Sequence, residues 1–256
     1  MNTTVPTPPP KLYNPLITVI ISIGIYLGAQ IFAGLLISLI PVVLQWGPQR
    51  SESWLTSNAL GQFMFIAVAE AITLYVLYLF LKLRKVNFKY LGLDTFRAGY
   101  ILKALGGFAV YFVLYIGVFI IATKLLPGLD TEQKQELGFN MSAQGTDLLL
   151  IFISLVILPP ITEEIVVRGF LFRGLRTKLP LLLSAIVASL LFGAAHLGFG
   201  GQNKLLWIAG IDTFILSMVL CYMREKTKSL WPGIIIHMIK NGIAFVILFN
   251  ITQYFR

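Results

Sequence analysis

Seven apolar runs of membrane-spanning length constrain the fold of this chain more than any other feature of its sequence. They lie near residues 16–43, 60–81, 100–122, 148–169, 181–198, 205–222 and 230–249. A helix needs about 20 apolar residues to cross the hydrocarbon core of a bilayer. Lipid offers no hydrogen-bond partner to backbone N–H and C=O groups, so these groups must be satisfied within the helix. The sequence therefore predicts an all-α, polytopic transmembrane helical bundle of about seven to eight spans.

The composition excludes a water-soluble globular domain. Hydrophobic residues make up 57% of the 256 residues and charged residues only 12%, about half of the share that is usual in soluble domains. A net charge of +9 can indicate nucleic-acid binding, but here the basic residues lie between the apolar runs. We therefore expect the lipid bilayer, and no nucleic acid, as a partner.

The distribution of Lys and Arg predicts the orientation in the membrane. Assigning alternate loops to alternate sides gives twelve basic residues on one side and five on the other. By the positive-inside rule the richer side faces the cytoplasm. We therefore predict a multi-pass protein of the cell membrane with a cytoplasmic N-terminus. The richer side comprises Lys11, Lys82, Arg84, Lys85, Lys89, Arg97, Arg173, Arg176, Lys178, Arg224, Lys226 and Lys228.

Two prolines and a charged motif interrupt the fourth apolar run. Pro159 and Pro160 precede Glu163, Glu164 and Arg168, and an ionisable residue inside a span is costly unless it is paired or functional. Glu164 and Arg168 are four residues apart and can form an ion pair on one helix face. Glu163 lies on a different face, about 100° away, and has no local cation. We interpret Glu164 as structural and Glu163 as a candidate functional residue.

The only two histidines of the chain both lie in apolar segments. Phe192 and His196 are four residues apart, and so are His237 and Asn241, so each pair shares one helix face. A structural histidine bonded to a backbone carbonyl is the alternative to a functional one. If the fourth and fifth spans form a hairpin, Glu163 and His196 lie at one level. Bringing His237 to that level requires either a glycine turn at 198–201 that dips into the membrane or different span edges.

Other polar groups in the spans have simpler explanations. We expect Glu70 and Asp212 to satisfy structural partners, and Glu70 to face Lys103 across a hairpin. The single Cys221 is predicted to be a buried packing residue, because one cysteine cannot form an intrachain disulfide.

Three motifs follow one another on successive predicted helices: E-E-x-x-x-R from Glu163, F-x-x-x-H from Phe192, and H-x-x-x-N from His237. In this order they resemble the motifs of the CPBP (Abi) family of intramembrane proteases, which includes the type II CAAX prenyl endopeptidases. The resemblance covers about residues 148–250. It implies that Glu163 and His196 activate the hydrolytic water, that His237 and Asn241 stabilise the oxyanion, and that Glu164 with Arg168 holds the first motif in place.

The residue types leave two chemistries open. A carboxylate such as Glu163, removed from bulk solvent, is suited to act as a general base, and imidazole and carboxamide N–H groups can stabilise an oxyanion. Alternatively, Glu163, His196 and His237 supply three ligands to zinc, with water at the fourth position. We favour the metal-independent mechanism and keep zinc as the alternative.

The sequence thus predicts three regions and one main function. Residues 1–15 form a Pro-rich cytosolic tail, residues 16–147 form N-terminal transmembrane helices and loops, and residues 148–250 form a CAAX-protease-like catalytic core. The predicted function is intramembrane hydrolysis of a peptide bond in a membrane-associated peptide or lipidated peptide. The alternatives are a non-catalytic membrane scaffold or immunity protein, or a small ion- or proton-coupled transporter.

Overall fold

The computed structural model of the protein describes residues 12–131, 137–198 and 205–251. The described residues are predominantly helical and contain no strand, which confirms the all-α prediction. Residues 1–11 of the predicted Pro-rich tail and residues 199–201 of the predicted glycine turn lie outside the described residues. The helices are α1 (Pro15–Val43), α2 (Pro48–Thr56), α3 (Ala59–Leu83), α4 (Phe88–Leu91), α5 (Gly99–Leu125), α6 (Gly145–Leu175), α7 (Leu181–Ala195), α8 (Trp207–Thr227) and α9 (Trp231–Val246, continued by a π-helical segment over Ile247–Ile251).

Six of these helices are long and apolar enough to cross a membrane: α1, α3, α5, α6, α8 and α9. The fifth predicted span, near residues 181–198, corresponds to α7, which has only 15 residues. At 1.5 Å per residue this helix is about 22 Å long, shorter than the hydrocarbon core of about 30 Å. The structure therefore has seven apolar helices in the described residues, and one of them is short.

Helix α6 is interrupted by the proline pair. Pro159 and Pro160 have no backbone N–H, so the carbonyl of Leu155 finds no donor in either the α-helical or the π-helical register. The side chain of Asn241 on α9 supplies one, because its Nδ2 donates to Leu155 O at 2.9 Å. π-Helical segments over Ile153–Ile157 and Glu164–Leu171 flank the prolines. This hydrogen bond between the two helices fixes α6 against α9.

The buried core surrounds α6. Phe170 and Arg168 are fully buried, and Phe170 belongs to a buried apolar cluster that also contains Leu81 of α3 and Ile234 of α9. Helices α7 and α8 approach closely where two glycines meet, because a Cβ on Gly193 would lie 2.9 Å from Gly210 O. Small residues allow such close packing between membrane helices.

The start of α9 lies deeper than the end of α6. Leu230 N donates to Gly92 O at 2.8 Å, and a Cβ on Gly169 would lie 3.1 Å from Leu91 Cβ and 3.3 Å from Leu230 Cδ1. Helix α9 therefore begins at the level of Gly169. Glu163 precedes Gly169 by six residues, and His237 follows the first residue of α9 by six, so each is about 9 Å from that level. This inward start of α9 brings His237 to Glu163.

Candidate active site

Glu164 is the buried anchor of the site. Its carboxylate is fully buried, and Oε1 accepts a hydrogen bond from Arg168 Nη1 at 2.8 Å. The same oxygen lies 3.3 Å from His237 Nδ1. The structure thus contains the Glu164–Arg168 pair that the i, i+4 spacing predicts. The Arg168 guanidinium also lies 4.5 Å above the ring of Phe192, which adds a cation–π contact.

Glu163 faces the neighbouring space and is more accessible. Its side chain is 17% exposed, and Oε2 lies 3.6 Å from His237 Nε2. This distance exceeds that of a normal hydrogen bond, whereas one water oxygen can lie within hydrogen-bond distance of both atoms. Glu163 therefore has the exposure and the neighbour that a general base requires.

His237 lies between the two carboxylates, with Nδ1 towards Glu164 and Nε2 towards Glu163. A carboxylate only accepts, so Nδ1 carries the proton in the contact with Glu164. The ring packs edge-on against Phe192, with centroids 5.9 Å apart. To donate from Nε2 as well, the ring must carry both protons.

His196 caps the C-terminal end of α7. Its Nδ1 donates to Phe192 O at 2.8 Å, so the neutral ring leaves Nε2 as an acceptor. Its ring lies 4.6 Å from that of Phe192, which therefore contacts both histidines. No hydrogen bond or ion pair joins His196 to Glu163 within the part of the chain that the structure describes, so a water used by both would lie between them.

Asn241 projects from α9 one turn after His237. One N–H of its amide is committed to Leu155 O, and a carboxamide carries two N–H groups. The side chain therefore has a structural contact in addition to the oxyanion role that the motif resemblance implies.

The predicted zinc ligands do not form a metal-binding cluster. Over residues 12–131, 137–198 and 205–251, no group of three or more His, Cys, Asp or Glu side chains lies in positions that could hold a metal ion. The Nδ1 atoms of His196 and His237 face Phe192 O and Glu164 respectively. These contacts leave Nε2 of each ring available, and histidines that bind a metal commonly make such contacts through their other ring nitrogen. Zinc therefore stays a prediction, and no chemical step is derived through it.

Two polar groups beside the site have partners that the sequence did not reveal. Glu70 is buried on α3, which packs against the segment of α6 that contains Thr162 and Glu163, and Lys103 lies over the ring of Tyr100. The predicted contact between Glu70 and Lys103 is therefore wrong. The hairpin argument paired the spans by sequence order, whereas α3 packs on the proline segment of α6.

A second polar cluster adjoins α9. Lys240 Nζ lies 3.0 Å from Asp212 Oδ2, and the Tyr111 hydroxyl donates to the other oxygen of the same carboxylate. The sequence identified Lys240 and Asp212 as ionisable groups in spans. It missed Tyr111, because a tyrosine in an apolar helix is no signal by itself.

The fold and this cluster of charged side chains define a polytopic helical membrane protein with a carboxylate–histidine site inside the bundle. Residues 145–243 match the family model described as Type II CAAX prenyl endopeptidase Rce1-like. The matched segment contains all three motifs, so the resemblance predicted from them is confirmed over this part of the chain.

Individual relatives extend the match. The chain is 26% identical over 249 residues to the membrane-embedded CAAX protease MroQ of Staphylococcus aureus, covering 95% of this chain and 91% of that protein. It is 30% identical over 129 residues to an uncharacterized 24.3 kDa protein of Escherichia coli, covering 49% of this chain and 55% of that protein. The chain thus spans about half the length of the E. coli relative. No solved structure matches it.

Proposed function

We propose that the protein is an intramembrane endopeptidase that hydrolyses a peptide bond of a membrane-associated peptide or lipidated peptide. The observation that carries this proposal is the placement of an accessible carboxylate, Glu163, opposite His237 Nε2 at 3.6 Å inside an apolar bundle. Glu164 has direct neighbours at Oε1, Arg168 and His237. Glu163 has no direct hydrogen bond to His237, and at 3.6 Å one water oxygen can lie within hydrogen-bond distance of both side chains.

In the proposed reaction, Glu163 takes a proton from a water molecule whose oxygen attacks the peptide carbonyl carbon. His196 orients that water by accepting a hydrogen bond at Nε2. The oxyanion receives N–H donors from His237 Nε2 and from the second N–H of Asn241. The carbon–nitrogen bond then breaks, and Glu163 returns the proton to the leaving amine.

The test is peptide cleavage by purified protein in detergent, with apolar and prenylated peptides as substrates and product masses as the readout. We expect discrete cuts by the wild type, and loss of cleavage in Glu163→Gln and His196→Ala with expression retained. Glu52→Gln, on an exposed helix away from the site, is the matched control. Wild-type turnover by Glu163→Gln would refute the role of Glu163.

Asn241→Ala separates the two contacts of the amide. Loss of an oxyanion donor is expected to lower kcat by about 10²–10³-fold with KM nearly unchanged, because the contact exists mainly in the transition state. Loss of the Leu155 contact alone lowers the free energy of unfolding instead, by about 1–3 kcal/mol.

A chelator distinguishes the metal-independent mechanism from the zinc alternative. We expect little effect of chelation on cleavage. Stoichiometric zinc in the active protein, lost together with activity in His237→Ala, would overturn the metal-independent mechanism.

A further inference from the structure

A basic cavity lies at the end of the bundle where α6 and α8 finish. Its volume is about 450 Å³, and it is lined by Arg173, Arg176, Arg224, Lys228, Glu225 and Tyr90, among others. Arg173 follows Glu163 by ten residues along α6, which separates the cavity from the candidate active site by about 15 Å. The proposed hydrolysis uses none of these side chains.

The cavity carries an excess of positive charge. Four cations and one carboxylate give its lining a formal charge of +3. Glu225 is engaged by Arg176 at 3.1 Å and by Lys228 at 3.4 Å. Neither Arg173 nor Arg224 forms an ion pair within the described ranges of the chain. They donate to backbone carbonyls instead, Arg173 to Tyr90 O and Arg224 to Leu91 O.

Two of these arginines also hold unsatisfied donors. Arg224 is only 6% exposed, and its Nε, like Nε of Arg176, is buried without a hydrogen-bond partner in the described residues. Burying a cationic donor without a partner is unfavourable. The arginines Arg173 and Arg224 are further held in place by close packing, the first over the Tyr90 ring at 3.7 Å and the second against Gly92. The guanidinium groups of Arg173 and Arg224 are therefore held in place at the cavity, and this fixed positive charge preorganises the site for an anion.

We propose that this cavity binds a phosphate group. A guanidinium presents parallel N–H donors that match phosphate oxygens, and arginine is the preferred residue for such recognition. Basic pockets between membrane helices bind anionic lipid head groups. A phospholipid head group and a free phosphate compound share this chemistry.

An adjoining space distinguishes these two sources structurally. A second cavity of about 570 Å³ shares Leu12 and Thr177 with the first and is also lined by Ile17, Arg84 and Lys178. Ile17 is 41% exposed near the start of α1, next to the exposed apolar side chains of Leu16 and Ile20. A lipid whose head group occupies the basic cavity thus finds apolar surface beside it.

The test compares binding of two probes to the full chain. In the first arm, the protein is reconstituted in lipid nanodiscs that contain increasing fractions of dioleoylphosphatidylglycerol or of dioleoylphosphatidylcholine. The lipid that stays bound to the protein is then counted by native mass spectrometry. In the second arm, inorganic phosphate is added to detergent-solubilised protein, and the shift in Tm is measured. We expect saturable binding of the anionic lipid and weaker binding of the zwitterionic one.

Two variants of the cavity are used. One is the double variant Arg173→Gln with Arg176→Gln, and the other is Lys228→Gln. The Lys228 side chain is 70% exposed, so its replacement leaves the core intact. Each lost cation is expected to weaken binding about fivefold, so the double variant loses about 25-fold. Lys82→Gln with Lys89→Gln removes two exposed charges that do not line the cavity, and we expect its affinity to equal that of the wild type.

Each outcome decides the proposal. Lipid binding that weakens only in the cavity variants supports a head-group site, and a Tm shift by inorganic phosphate that the same variants remove supports a free phosphate. An equal loss of affinity in the control variant would show diffuse surface attraction and overturn the proposal. The proposal is also overturned if neither lipid binding nor a phosphate-induced Tm shift is seen, or if Lys228→Gln binds with the affinity of the wild type.

Discussion

Glu163 and Glu164 are adjacent residues with the same side chain and opposite surroundings. Glu164 is fully buried, with Arg168 and His237 as its neighbours, whereas Glu163 retains an accessible face and no direct hydrogen bond to His237. One position along the helix therefore separates a buried, ion-paired carboxylate from one with an accessible face.

Replacing Glu164 by Gln is expected to destabilise the protein strongly. The change leaves the buried Arg168 guanidinium without its counter-charge, and breaking a buried pair from one side costs about 3–5 kcal/mol. Thermal unfolding in detergent measures the loss. Glu164→Gln combined with Arg168→Met removes both charges and is expected to recover much of the stability. A double variant no more stable than Glu164→Gln would contradict the structural role of the Glu164–Arg168 pair.

Asp94 is expected to make stability depend on pH. It lies in the loop after α4, where its carboxylate accepts hydrogen bonds from Ser229 and Tyr100. Partial desolvation raises the pKa of Asp94, but the hydrogen bonds from Ser229 and Tyr100, with the charge of Arg97, outweigh it and lower the pKa below its usual value.

A lowered pKa means that Asp94 stabilises the fold fully above its unfolded pKa of about 4 and loses this contribution as the pH falls through the folded pKa. The difference in Tm between wild type and Asp94→Asn is therefore expected to be largest near neutral pH and to shrink in acid. A difference that grows on acidification would contradict the predicted direction.

At the scale of the helix, Gly233 determines how closely α9 approaches Glu164. A Cβ on Gly233 would lie 2.8 Å from Glu164 Oε2, a buried oxygen. Gly233→Ala is therefore expected to lower Tm, although alanine favours helices over glycine by about 1 kcal/mol. The control is Gly242→Ala on the same helix, where the nearest atom would be Val156 Cγ1 at 3.7 Å. We expect the control to keep or raise Tm.

The helices were largely predictable from the sequence, and the contacts between them were not. Apolar runs predict helical spans because backbone N–H and C=O groups in lipid must be hydrogen-bonded within the chain. The spacing of Glu164 and Arg168 predicts their ion pair. The depth of α9 was not predictable, since it depends on the contact of Gly169 with Leu91 and Leu230. The contact of Asn241 with Leu155 was not predictable for a similar reason. Two prolines indicate that a carbonyl lacks its backbone donor, but they do not indicate which helix supplies another donor.

At the scale of the molecule, the basic residues at one end of the bundle predict its orientation. Arg84, Arg173, Arg176, Arg224 and Lys228 lie at helix ends or beside cavities of that end. A reporter fused after Lys89 is expected to be cytoplasmic, and one fused at Gln135, which lies outside the described residues, on the other side. Reversed labelling of both sites would contradict the orientation and leave the proposed hydrolysis untouched.

The shortness of α7 bears on how water would reach a site inside lipid. A helix of about 22 Å is about 8 Å shorter than the hydrocarbon thickness, and a bilayer responds to such a mismatch by thinning locally. His196 caps the C-terminal end of this helix. Thinning at that end would shorten the distance from solvent to the histidine, so that the proposed hydrolysis could draw its water from one face of the membrane alone.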